Sequence, residues 1–220
     1  MSARAVLLDL YDTLAWSDWP TLRGLIEERT GLSTLELLDA FDATRRERGV
    51  GVFGSMEADL RAVLEAAAIA PNDPLVRELT ALVENFLRDG VHLWDDALPV
   101  VRELRRRGVR TALVSNCDHG TGPVVERLGL REELDAVVLS FEARVAKPDA
   151  GIYLAALEAI GARPEETLFV DDQAAYCDGA AALGIETVLL VRPDAAPDEG
   201  AGEAGGHRVI GDLRPLLDLV

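Results

Sequence analysis

Four positions in the sequence pair a reactive side chain with one local context. Asp9, Ser115 and Asp171 each directly follow the last apolar residues of a short hydrophobic run, and Lys147 follows another run by a short loop. Two carboxylates, extended by Asp172, a hydroxyl and an ammonium make a set that can hold both an anion and a cation. Carboxylates about 4 Å apart repel by ~4 kcal/mol at an effective dielectric of ~20, and a dication reverses that repulsion. An oxygen-only donor set suits Mg²⁺, which keeps several of its waters. Taken singly, each residue has a plainer reading: an Asp after a strand caps the next helix, Ser115 caps or turns, and Lys147 is a solvated side chain before Pro148. Taken together, their order matters, because ligands of open parallel sheets bind beyond the carboxyl ends of the strands.

The elements that must position these residues are legible as periodicity. Ala5–Leu8, Thr111–Val114, Val137–Leu139, Thr167–Val170 and Thr187–Val191 are short apolar runs of the kind that form buried parallel strands. Between them lie runs of helical period. Ala97, Val100, Val101 and Leu104 share a face before Gly108, Tyr153, Leu154, Leu157 and Ile160 do so before Gly161, and a third run extends from about Ala174 to Leu183 before Gly184. Glycines at those points serve as helix C-caps. Alternation of this kind predicts an α/β fold with a Rossmann-like, doubly wound parallel sheet.

Residues 18–89 differ, with Pro20, Gly31, Gly51, Gly54 and Pro71 punctuating amphipathic helical segments and no convincing strand. The expected organisation is a core of residues 1–17 and 90–220 with a small helical domain, 18–89, inserted after the first strand. Pro193 to Gly206, rich in Gly, Ala, Asp, Glu and Pro, reads as a surface loop. Ile210, Leu213, Leu216 and Leu217 predict a closing helix.

Thirty-nine acidic against 22 basic side chains give a formal charge of -17, which argues against nucleic acid and anionic membranes as partners. An anionic substrate is repelled as well, so a phosphate site must carry its own cation within the ~8 Å screening length of physiological salt. No apolar run approaches a membrane span. The N-terminal residues lack the form of a signal peptide, so a cytoplasmic location is expected, with Cys117 and Cys177 as free thiols.

The run Asp9-Leu-Tyr-Asp-Thr13-Leu, then Ser115-Asn116, then Lys147-Pro148, then Asp171-Asp172 followed by Gly179-Ala180, resembles the four ordered motifs of the haloacid dehalogenase superfamily. The match spans nearly the whole chain, and the helical insertion resembles that superfamily's cap domain. The resemblance implies a hydrolase of a small phosphorylated molecule with Asp9 as nucleophile, forming an aspartyl-phosphate that water then hydrolyses. Lys147, the Ser115 hydroxyl and the Asn116 backbone N–H would serve the charged oxygens, and Thr13 would position Asp9 or the phosphoryl group. Mg²⁺ would sit on Asp9, Asp171 and the Tyr11 backbone carbonyl, with Asp172 as a ligand or as the group orienting a bound water.

Tyr11 departs from the pattern, because many superfamily phosphatases carry there a second Asp as general acid and base. A phenol of ordinary pKa near 10 is a poor base at neutral pH. Asp12, one residue on, is expected to point elsewhere. The superfamily's 2-haloacid dehalogenases tend to have Tyr at this position, work without metal and lack a paired acidic fourth motif. A metal-independent dehalogenase is therefore the alternative, and a phosphate-binding protein of negligible turnover a third reading. Asp171-Asp172 favours the phosphatase.

Tyr176 stands where relatives place a further polar residue, and packing explains it equally well. Trp16 and Trp19 lie where the chain leaves the core and Trp94 where it returns, either walling an entrance or packing a hinge. His119 reads as a loop histidine without a visible partner, and Arg45, Arg46 and Arg48 as a solvated helix face that could lend one cation to a substrate.

Overall fold

The computed structural model describes residues 3–193 and 205–220. In chain order the elements are β1 (Ala5–Leu8), β2 (Ala15–Ser17), α1 (Trp19–Thr30), α2 (Thr34–Gly49), α3 (Met56–Ala66), α4 (Asp73–Asp89), β3 (Val91–Leu93), α5 (Ala97–Arg106), β4 (Arg110–Ser115), α6 (Thr121–Arg127), α7 (Leu130–Glu133), β5 (Ala136–Leu139), α8 (Ser140–Ala143), α9 (Ala150–Ile160), β6 (Thr167–Asp171), α10 (Ala174–Ala181), β7 (Glu186–Leu190) and β8 (Arg208–Ile210). Single 3₁₀ turns cover Pro164–Glu166 and Arg214–Asp218.

Six strands form one parallel sheet in the order β5-β4-β1-β6-β7-β8. The first strand explains why this sheet is buried on both faces. Val6 and Leu8 point into an apolar cluster with Val100, Val101 and Leu104 of α5, while Ala5 and Leu7 point into another with Ile152, Tyr153 and Ala156 of α9. A period of two with both sets apolar gives the continuous hydrophobic run seen in the sequence. The expected doubly wound α/β architecture is thus the observed one. After β1 the chain builds outward through β4 and β5, then returns to the other side of β1 for β6. Strand order therefore reverses at β1, which opens a crevice above the carboxyl ends of β1, β4 and β6.

Gly161 caps α9 with φ +62°, a left-handed conformation that costs glycine little, as its place at the end of the helical run predicts.

Helices α1 to α4 fall within residues 18–89 and surround their own apolar cluster, including Leu22, Ile26, Leu37, Leu60, Val63 and Leu79. Local sequence sets their starts. Asp18 accepts a hydrogen bond from the Thr21 N–H, Ser33 and Glu36 form a reciprocal capping box, and Ser55 and Asn72 cap α3 and α4. At the insertion's edges β2 and β3 pair antiparallel, a ribbon the sequence reading did not foresee. It brings the Trp16 ring 4.9 Å from that of His92 and 6.1 Å from that of Trp94. Those two tryptophans pack together at the ribbon, while Trp19 lines the cavity at the strand ends.

The expected closing helix is not formed. Ile210 instead ends β8, paired with Leu190, and Leu216 and Leu217 lie in the 3₁₀ turn. Apolar spacings of three suit a 3₁₀ turn as well as an α-helix, and Gly211 separates the strand from the turn. Most of the loop expected at Pro193–Gly206 lies outside the described residues. Among the described residues no helix is long and apolar enough to cross a membrane.

Candidate active site

The crevice at the strand ends and the inner side of α1–α4 enclose one cavity of about 830 Å³. Its floor is charged. Asp9 leaves β1 with its N–H donating to the Val170 carbonyl at 3.0 Å, which fixes the nucleophile candidate between β1 and β6. The Lys147 ammonium donates to Asp9 Oδ1 at 2.5 Å and to Asp171 Oδ2 at 2.6 Å, and its side chain is only 1% exposed. Burial works against that positive charge, but Asp171 and Asp9 more than offset it and hold the ammonium above the usual lysine range. The same Nζ lies 4.9 Å from the centre of the Tyr176 ring. Tyr176 therefore packs over the lysine and also lines the cavity.

Asp171 is fully buried, and both of its oxygens are engaged, Oδ2 by Lys147 and Oδ1 by the Gln173 N–H at 2.8 Å. Asp172 lines the cavity beside Asp9. Its burial, with Asp9, Asp171 and Asp12 all near, pushes its carboxyl up to about 9. A cluster this short of positive charge is a place where a cation is electrostatically welcome. Among the described residues no preformed cage of three or more acidic, His or Cys side chains exists. Mg²⁺ does not require one, since it is commonly held by one or two carboxylates and waters. The oxygen-only donor set therefore fits the ion, with the carboxylates of Asp9 and Asp172 facing the cavity.

The remaining predicted residues divide. Asn116 reaches the cavity, but its side chain clamps the backbone of Lys147. Nδ2 donates to the Lys147 carbonyl at 2.9 Å and Oδ1 accepts from the Lys147 N–H at 2.7 Å. Ser115 and Thr13 are fully buried beneath the floor, and neither hydroxyl has a hydrogen-bond partner among the described residues. Tyr11 turns its hydroxyl to Thr121 Oγ1 at 3.3 Å, and burial raises that phenol further above its ordinary value. Its side chain cannot take the part of a general base at neutral pH. Asp12 adopts φ +58° and lines the cavity, contrary to the expectation that it points elsewhere.

Sequence reasoning missed three devices around this floor. Arg192 donates to the Thr13 carbonyl through Nε at 3.2 Å and Nη2 at 2.7 Å, pairs with Asp96 at 2.9 Å and stacks over Trp94. It ties the first motif to the returning chain. Arg48, read as part of a solvated face, is 11% exposed and bonds Asp118 at 3.1 Å, whereas Arg45 is 71% exposed and pairs with Asp42. His119 has a partner after all: its Nδ1 lies 2.8 Å from Oδ2 of the buried Asp59 on α3. Both pairs join the loop after β4 to the helices above it. The sequence carried one faint signal for them, an Asp at an otherwise apolar position of α3. Cys117 and Cys177 are free and buried, as expected.

A parallel sheet with a carboxylate after its first strand, a lysine bridging two carboxylates and an inserted helical layer defines a class of hydrolases. The chain belongs to the haloacid dehalogenase-like hydrolase family, whose model matches residues 3–184. It is 29% identical to enolase-phosphatase E1 of Sorangium cellulosum over 98% of this chain and 99% of that protein. It is also 32% identical to (S)-2-haloacid dehalogenase 1 of Pseudomonas sp. strain CBS-3, over 50% of each chain. In fold it is similar to the L-2-haloacid dehalogenase of Xanthobacter autotrophicus solved with chloropropionic acid covalently bound, with a TM-score of 0.67 at 18% identity, covering 99% and 98% of the two chains. Relatives of both chemistries thus surround this hydrolase.

Proposed function

We propose that the protein hydrolyses a small phosphomonoester through a covalent intermediate on Asp9, with Mg²⁺ bound by Asp9, Asp172 and the Tyr11 backbone carbonyl. The observation that carries this reading is that Asp172, directly after β6, lines the cavity with the lysine-bridged Asp9. Asp171, with both oxygens occupied, holds Lys147 in place and is not assigned to the ion. Bound there, Mg²⁺ would offset the charge of the phosphoryl oxygens against the surrounding carboxylates.

In the first step an Asp9 oxygen attacks phosphorus, the new P–O bond forms and the ester P–O bond breaks. In the second, water attacks the same phosphorus, returning the Asp9 carboxylate and releasing phosphate. Lys147 stays protonated throughout and stabilises charge near the nucleophile. Tyr11 supplies neither the proton for the leaving group nor a base for water, so leaving groups that depart as stable anions are favoured. The helices of residues 18–89 act as the cap domain over the core of 1–17 and 90–220, and select the substrate. Full-length similarity to an enolase-phosphatase supports this reading.

Tyr11 favours a second reading, halide release from a 2-haloacid by Asp9 without metal. Phosphate release from a panel of phosphomonoesters with Mg²⁺, abolished by chelator and by Asp9→Asn, is the expected result. Chloride release from a 2-chloroacid in excess chelator, with no phosphate release under any condition, would replace the first reading with the second. Binding of phosphate without either product would leave a binding protein.

A further inference from the structure

The helical wall of the cavity carries a buried polar atom that neither the proposed reaction nor a neighbouring side chain uses. Asp59 lies on α3, is 2% exposed and lines the cavity. Its Oδ2 is held by His119, while Oδ1 has no hydrogen-bond partner among the described residues. The side chains sharing that wall, Met56, Leu60, Val63 and Phe86, offer it none. A buried carboxylate oxygen left without a donor is destabilising, because it has lost its water and gained no partner. An active site tolerates such a cost where a ligand supplies the missing donor.

We infer that Asp59 is a specificity residue whose free Oδ1 accepts a hydrogen bond from the non-reacting end of the substrate. The substrate class is accordingly a phosphomonoester with an apolar body and an N–H or O–H donor, an amine or a hydroxyl, at the end away from the phosphate. His119 fixes the direction of the acceptor by engaging the other oxygen. The ring of Phe141, tilted against His119 with centroids 4.9 Å apart, fixes the imidazole in turn. A carboxylate brought against Oδ1 would meet a like charge and be rejected there, with the Arg48 guanidinium of the same wall already paired to Asp118.

This inference rests on the cavity being the substrate site but not on the chemistry at Asp9, and the test separates the two. Alkylphosphonates of graded chain length, ending in methyl, hydroxyl, amine or carboxylate, are titrated into the wild-type protein with Mg²⁺ by calorimetry. Phosphate release is assayed on the matching alkyl phosphates and on 4-nitrophenyl phosphate, whose leaving group departs as a stable anion. At the best chain length, hydroxyl- or amine-ended ligands should bind about tenfold tighter than the methyl-ended one, and the carboxylate-ended ligand weaker still. In Asp59→Leu that ratio should fall to about one. Asp59→Asn keeps an acceptor of the same shape, so it should retain the hydroxyl preference and lose the amine preference; it also serves if Asp59→Leu fails to fold. Equal binding of all four ends, a ratio unchanged in both variants, or no binding of any phosphonate would each overturn the inference and leave Asp59 as a structural partner of His119. End-group selectivity in binding without phosphate release from any ester would uphold Asp59 and sink the phosphatase reading instead.

Discussion

The two walls of the cavity are built on opposite principles. The floor, at the ends of β1, β4 and β6, gathers Asp9, Asp171 and Asp172 around a single ammonium, held by backbone hydrogen bonds and buried beneath side chains such as Tyr176. The helical wall is apolar around Asp59 and carries its other charges on α2; two of its charged groups are joined to one short loop, Arg48 to Asp118 and Asp59 to His119. The floor thus concentrates like charge, whereas the wall pairs charge with the loop and leaves one buried acceptor, Asp59 Oδ1, without a partner among the described residues. On the proposed reading, chemistry belongs to the floor and selectivity to the wall.

The largest effect is expected at the proposed nucleophile. Asp9→Asn should lower turnover by about three orders of magnitude or more while leaving the melting temperature unchanged or raised, because it removes one member of a crowded acidic cluster. Steady-state kinetics and calorimetric melting on the same preparations check this. A variant that melts far lower would mean that Asp9 is chiefly a structural partner of Lys147. Lys147→Met is the converse case, since it strands two buried carboxylates. It should cost about 3–5 kcal/mol of stability as well as activity, measured by urea unfolding, and a neutral result would show that the cluster holds its charge by other means.

How far this division was legible in the sequence depends on how far apart the partners lie along the chain. The floor was readable because each motif residue directly follows an apolar strand, so a local pattern places Asp9, Ser115 and Asp171 at one sheet end. The strands and helices around the floor were readable for the same reason, whereas the expected closing helix gave way to β8 and a 3₁₀ turn. What the pattern could not give was direction within the site. Asp171 and Asp172 are neighbours, yet one turns to Lys147 and the Gln173 N–H while the other faces the cavity. Ser115 and Asn116 likewise part, one buried and the other clamping Lys147. The wall was nearly illegible, because Asp59 with His119 and Arg48 with Asp118 join residues from separate elements whose meeting depends on how the helices dock. Arg192 with Thr13 is the same kind of case, and no local periodicity encodes it.

Between floor and wall stands Tyr11, whose hydroxyl is turned to Thr121 rather than offered to a leaving group. If the floor lacks only a proton donor, Tyr11→Asp should raise phosphate release from alkyl esters by about tenfold or more, with a much smaller gain for 4-nitrophenyl phosphate, whose leaving group needs no proton. Equal gains for both esters would place the deficit elsewhere. A smaller effect is expected on the wall. Arg48→Met leaves Asp118 without its cation and should destabilise by about 1–3 kcal/mol. It should raise KM more than it lowers kcat, and a fall confined to kcat would put Arg48 on the floor's side of the division.

The smallest effect tests whether floor and wall stay together in solution. Burial pushes the thiols of Cys117 and Cys177 up to about 12 from an ordinary 9.0, with Asp118 adding to the shift at Cys117 and Asp171 at Cys177. The folded protein thus binds these protons more tightly than the unfolded chain. The resulting stabilisation is intact below about pH 9 and is lost as the pH rises from there towards 12. At pH 8 almost no thiolate is present in the folded state, so iodoacetamide should label neither cysteine until urea unfolds the chain, when mass spectrometry should find both modified. The two thiols differ in one respect that makes the measurement informative. Cys177 is fully buried on α10 against the sheet, whereas Cys117 lines the cavity, close to the residues that bond the helical wall. If the wall lifts from the floor in the native state, solvent reaches Cys117 first. Labelling of Cys117 alone, accelerated by Arg48→Met and suppressed by a bound phosphonate, would then show that the Arg48–Asp118 pair holds the cavity closed.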